Sequence, residues 1–145
     1  MSTLQNTAAV PLRAGLGWKL GLWSAQVLLS LFFGASGLCK LFVAPETLVH
    51  IGVNYATDVP HWLLYFIGAA ETAGAIGIVL PALTRIEPFL TPLAALGFVA
   101  LQVLAICFHL TRGEIAGLPL NFVLVALAAF VLWGRTKKAP VQGRW

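Results

Sequence analysis

The chain has 145 residues, 59% of them hydrophobic and 10% charged, with a mean hydropathy of +0.90 and a formal net charge of +4. A soluble domain is about half apolar and about a quarter charged, so water is not the main solvent of this protein. Its basic residues gather at a few places instead of lining one face, which argues against a nucleic-acid binder.

A membrane span needs roughly 20 predominantly apolar residues, and four runs qualify: residues 20–43, 62–80, 89–110 and 115–133. The composition therefore predicts an all-α fold, a four-helix transmembrane bundle in one domain over residues 1–145. Little of the chain lies outside these runs, so any activity is expected inside the bundle, on the loop 44–61, or in a partner protein. Arg13 and Lys19 precede the first run, but that run exceeds a signal-peptide h-region and has no clear Ala-x-Ala site. It is expected to remain as a helix.

After the first run, Pro45 and Glu46 are placed to open a short helix, with proline in the first turn and an acid at the positive dipole end. Leu48, Val49, Ile51 and Val53 give that segment an apolar side, as a cover at the membrane interface would have. Pro81 is expected to close the second run, and Pro88 and Pro92 bracket the start of the third. The second run is rich in small residues at four-residue spacing, Ala69/Ala73/Gly77 and Ala70/Gly74, which lets helix backbones approach closely in lipid. Trp18, Trp23, Trp62 and Trp133 stand near the ends of runs, where interfacial anchors belong.

The charges give an orientation. Arg135, Lys137, Lys138 and Arg144 read as a basic tail, and with Arg13, Lys19 and Arg85 they fall on the side of the termini. Under the positive-inside rule both termini are expected in the cytoplasm and the loop 44–61 outside.

Polar residues within the runs carry the functional question. At 100° per residue Gln26, Ser30, Phe33, Gly37 and Lys40 share a stripe, as do Gly68, Glu71 and Ala75, then Ala95, Gln102 and His109, then Asn121 and Ala128. Polar and small residues on one face mark an inward seam, because lipid offers no hydrogen-bond partner. The candidate polar core is therefore Lys40, Glu71, Gln102, His109 and Asn121, expected as one cluster opening toward the outer face. A buried charge in a membrane calls for a partner, and Lys40 is the natural one for Glu71 across a vertical offset of about 10 Å estimated from helix rise. The alternatives are a proton or ligand site at Glu71, or a neutral, hydrogen-bonded carboxyl with Lys40 reaching the surface.

Haem ligation usually wants a second axial histidine, but His50 and His61 lie in the loop, and no metal-ligand spacing is present. Cys39 and Cys107 form no Cys-x-x-Cys and point away from the polar seams. No cofactor is evident, although a polar pocket flanked by Phe33 and Phe108 has the character to receive a quinone head group.

The element Gly37-Leu38-Cys39-Lys40-Leu41 closing the first run resembles the Gly-x-x-Lys-Leu element of DoxX-like membrane proteins. The stretch IGAAETAGAIGIVLP, residues 67–81, is similar to that family's second-helix pattern, and HLTRGE, residues 109–114, with Asn121 and Gly134-Arg135, resembles its closing segment. The resemblance covers about residues 15–135. It implies a compact four-helix bundle in the bacterial inner (plasma) membrane and a role as membrane subunit or organiser. Some relatives are subunits of sulfur-compound:quinone oxidoreductases or of other redox assemblies, so the implied partners are the lipid bilayer and membrane or redox proteins. No catalytic residue carries over. The rival readings are a quinone- or small-molecule-binding enzyme with an outer-facing polar pocket and, ranked lower, a small multidrug-type transporter. Such transporters place their essential glutamate in the first helix, where this chain has Lys40.

Overall fold

The computed structural model describes residues 14–144. Among them are five α-helices: α1 (Leu16–Phe42), α2 (Pro45–His50), α3 (His61–Thr84), α4 (Leu90–Thr111) and α5 (Leu118–Trp133), the last running on through a π-helical turn, Gly134–Lys138. Four of these segments are long and apolar enough to cross a membrane. Arg13, one of the orienting charges, lies outside the described residues. The spanning helices form a ring, α1 on α3, α3 on α4, α4 on α5, and α5 back on α1. One end of the ring carries α2 and the loop before α3 (the loop end), and the other carries the turn 85–89 and the segment after α5 (the terminal end).

The distribution of side chains is inverted relative to a water-soluble bundle. Leu31, Phe66 and Leu104 are 67%, 66% and 68% exposed at mid-helix, while Gln26, Lys40, Glu71, Thr91, Gln102, Asn121 and Arg135 are all buried. An apolar exterior around a polar interior is stable where the surroundings are hydrocarbon and backbone groups are satisfied within helices.

Small residues set how close the helices come. A Cβ added at Gly37 would stand 2.7 Å from the Gly68 carbonyl oxygen and 2.8 Å from the Thr72 nitrogen, and one at Gly68 would stand 2.9 Å from the Gly37 carbonyl oxygen. The α1–α3 crossing is thus backbone against backbone. At the centre of the ring Phe33 stacks on Phe98 with ring centroids 4.0 Å apart, and Gly74 leaves the space that the Phe98 ring fills.

Three boundaries differ from the sequence expectation. The first helix starts at Leu16, four residues before residue 20. Pro81 does not close its helix: α3 continues to Thr84 and ends on Arg85 in the left-handed conformation, φ 61°, whose N–H bonds the Pro81 carbonyl at 2.9 Å. Proline four residues after Gly77 removes one hydrogen bond, and the remaining turn is held by the later donors. The fourth spanning helix, α5, begins at Leu118, and its π-helical extension carries the buried face past Trp133 to Arg135. The short α2 forms where Pro45 and Glu46 predict it, and its Leu48 buries with Ala56 and Leu64 beneath the loop.

Candidate functional site

Two polar assemblies occupy the interior, one toward each end. In the first, Lys40 Nζ donates to Glu71 Oε2 at 2.8 Å, and to Ser36 Oγ one helical turn back along α1. The two side chains are 4% and 8% exposed. Helical side chains tilt toward the N-terminus of their helix, so the lysine stem descends from the loop end toward Glu71. Gly68, one turn before Glu71 on α3, makes room for it: a Cβ there would meet Lys40 Cβ at 2.9 Å. The stem and the glycine together close the offset estimated from helix rise.

The loop covers this pair. Tyr55 packs edge-on against Phe108 and His109, at centroid distances of 5.7 and 6.1 Å. Burial holds its phenol well above the usual tyrosine range, and the negative charge of Glu71 adds to the effect, so the hydroxyl stays neutral. His109 does not join Lys40 and Glu71. Its Nδ1 is 2.7 Å from Glu114 Oε2, in the turn after α4, and Arg112 bridges Glu114 Oε1 at 2.7 Å and Asp58 Oδ2 at 2.6 Å. Hydrogen bonds from Arg112 and then His109 hold the Glu114 carboxyl below the usual carboxylate range. This staple ties the loop to the α4–α5 turn.

The single five-residue cluster expected from the sequence is therefore divided. Lys40 and Glu71 are bonded to each other, His109 belongs to the staple, and Gln102 and Asn121 are buried, 5% and 9% exposed, without joining either group. Gln102 Oε1 and Asn121 Nδ2 have no hydrogen-bond partner among the described residues. The division follows from depth: His109 and Glu114 lie at the mouth of the bundle, whereas Glu71 sits ten residues into α3, roughly 15 Å by helix rise. Cys39 and Cys107 are free thiols.

The second assembly, at the terminal end, corrects the reading of Arg135 as a tail charge. Arg135 is 6% exposed, and its Nε donates to Gln26 Oε1 at 2.7 Å, while Gln26 Nε2 donates to the Ile78 carbonyl on α3. Its guanidinium also lies over the Trp23 ring, 5.3 Å from the centroid. Gly134 permits this approach, since a Cβ there would run into the Leu22 side chain. The sequence did contain the signal: the spacing Asn121, Leu124, Ala128, Val131, Arg135 is one continuous helical stripe, and all five are buried. Tyr55, Glu114 and Asp58 carried no such signal, because loop residues have no periodicity.

An apolar-surfaced ring of four spanning helices with a buried ion pair in its interior defines an integral membrane protein of the helical-bundle class. The family model of the DoxX-like family matches residues 24–131, from within α1 to within α5, and the chain belongs to that family. No curated protein and no solved structure matches the chain.

Proposed function

We propose that this protein is a membrane subunit or organiser that keeps its shape through its polar interior and works through a lateral face docked on the transmembrane helices of a partner. The observation that carries this reading is a groove of about 270 Å³ between α3 and α4, lined by the small residues Ala70, Gly74, Ala94, Gly97 and Ala100 together with Phe98, Leu101 and the lipid-exposed Leu104. In hydrocarbon there is no hydrophobic drive to association, and close backbone approach over small residues is what lets helices pack. The ion pair favours the same reading, since Lys40 and Glu71 are closed off and satisfy one another. Some relatives in the family are subunits of redox assemblies, which supports a redox complex as the class of partner.

Charge supports an orientation with both termini in the cytoplasm, as expected for a bacterial inner-membrane protein. Among the described residues the terminal end carries Lys19, Arg85, Arg135, Lys137, Lys138 and Arg144 against Glu87, whereas the loop end sets Arg112 against Glu46, Asp58 and Glu114.

A second reading, binding of a quinone or another small molecule at the loop end, draws support from the unpartnered Gln102 Oε1 and Asn121 Nδ2, which leave hydrogen-bonding capacity in the interior. Gentle extraction from the native membrane distinguishes the two. The subunit reading expects a fixed stoichiometry with a second membrane protein. Isolation of the chain alone, carrying an organic-extractable quinone, would favour the second reading and count against the first.

A further inference from the structure

Among the described residues, Arg135 is a buried cation with no counter-ion. Its hydrogen bonds go to two neutral acceptors, Gln26 Oε1 at 2.7 Å and the Ala139 carbonyl oxygen at 3.2 Å, and Nη2 is buried with no partner among the described residues. The described ion pairs involve Lys40, His109 and Arg112, and none involves Arg135. Removing a charge from water without an opposite charge is costly, so buried charges are normally paired. Beside this guanidinium is a cavity of about 250 Å³, lined by Arg135 with Pro88, Phe89, Pro92, Pro140 and Val141. Among the described residues no carboxylate lines it, and four of its five other walls are apolar rings. Thr91, next to Pro92 in the first turn of α4, also has a buried hydroxyl without a partner among the described residues.

We propose that this cavity is a binding site for a phosphate group, with Arg135 as the ligand-contacting cation. Gln26, Ala139 and Trp23 hold the guanidinium in place, with Nε and Nη1 engaged, so Nη2 is the donor left to meet a phosphate oxygen in a charge-assisted hydrogen bond. The level of the site in the membrane points to the same chemistry. Trp18 and Trp133 pack together at this end with centroids 5.4 Å apart, and Lys138 lies over both rings. Tryptophan and lysine together mark the depth of lipid headgroups. The phosphate can thus belong to an anionic lipid, whose glycerol and upper acyl carbons meet the proline and phenylalanine walls, or be free phosphate from the adjoining aqueous phase.

The test is thermal unfolding of the purified full-length protein in neutral detergent, titrated separately with short-chain phosphatidylglycerol, short-chain phosphatidylcholine and sodium phosphate, with sodium sulfate as an ionic-strength control. A saturable rise in Tm with phosphatidylglycerol, weak or absent with the zwitterionic lipid, is expected if the source is lipid. A saturable rise with sodium phosphate above the sulfate control assigns free phosphate. In either case Arg135→Gln should weaken the response at least tenfold. Arg135→Lys should keep the charge but weaken binding through loss of the Nη2 donor. Because Arg135→Gln also disturbs Gln26, Val141→Trp provides a second arm that fills the cavity while leaving the arginine and its internal bonds in place, and it too should abolish saturation. Lys137→Gln with Lys138→Gln should leave the saturable response intact. Absence of saturation by either phosphate source in the parent, or a response that both Arg135→Gln and Val141→Trp retain, overturns the proposal.

Discussion

Lys40 Nζ lies 2.8 Å from Glu71 Oε2, joining the first and second spanning helices through a pair shielded from both water and lipid. Its position one turn from the Gly37–Gly68 crossing means that the closest backbone approach and the buried charges support one another. Removing one partner of such a pair leaves an uncompensated buried charge, at a cost of about 3–5 kcal/mol, whereas removing both is far milder. Glu71→Gln is therefore expected to lower folded yield and thermal stability strongly, and adding Lys40→Met should restore much of the loss. A thermal-unfolding cycle over the four proteins measures the coupling. If the double variant folds well but a native complex loses activity, Glu71 has a chemical role beyond pairing.

Glycine substitutions should sort by what a Cβ would meet. Gly37→Ala and Gly68→Ala insert a methyl within 3 Å of backbone atoms of the facing helix, and must push α1 and α3 apart. Overpacking of this kind costs about 1–3 kcal/mol or more, and here it also stretches the ion pair. Gly17→Ala and Gly97→Ala meet nothing within 4 Å and should fold at parental yield, because alanine relieves the helix of about 1 kcal/mol of glycine penalty. Melting temperature in detergent separates the two classes.

The staple at the loop end should respond to acid. The folded-state pKa of Glu114 is depressed, by Arg112 first and His109 second, so its contribution is complete above the ordinary carboxylate range and is lost as pH falls through its folded pKa. Protease cleavage or hydrogen exchange in the loop 51–60 is thus expected to increase on acidification below about pH 4, the usual range for a glutamate. Glu114→Gln should show the faster exchange already at neutral pH and a flatter pH profile. A parent protein with pH-independent exchange in this loop would contradict the role of the staple.

How much of this was legible in the sequence depended on periodicity. The count of spanning helices follows from the four apolar runs; the inward stripe of Gln26, Gly37 and Lys40 and the matching stripe of Gly68, Glu71 and Ala75 follow from 100° spacing, and their residues are buried or line the α1–α3 contact. Depth was legible only coarsely, because a straight-rod estimate ignores how a lysine stem leans along its helix, and the five polar residues were accordingly grouped as one cluster. Arg135 was misread for a different reason. A basic residue just after an apolar run usually lies in water, and although helical spacing puts Arg135 on the stripe, the apolar run ends at Trp133 and gives no sign that the helix continues to bury it. Tyr55 and Asp58 lie in an aperiodic loop, and their contacts depend on where α2 folds back over the bundle.

The central claim, that the α3–α4 groove is the working face, is tested most directly by photo-crosslinking in intact native membranes. A photoreactive side chain is placed at Gly97 or Leu104 in the groove, and at Phe122 or Val123 on the exposed face of α5. The account predicts one adduct of defined mass and near-stoichiometric yield from the groove positions, and only diffuse lipid adducts from α5. Diffuse adducts from every position, or the same discrete adduct from both faces, would contradict it.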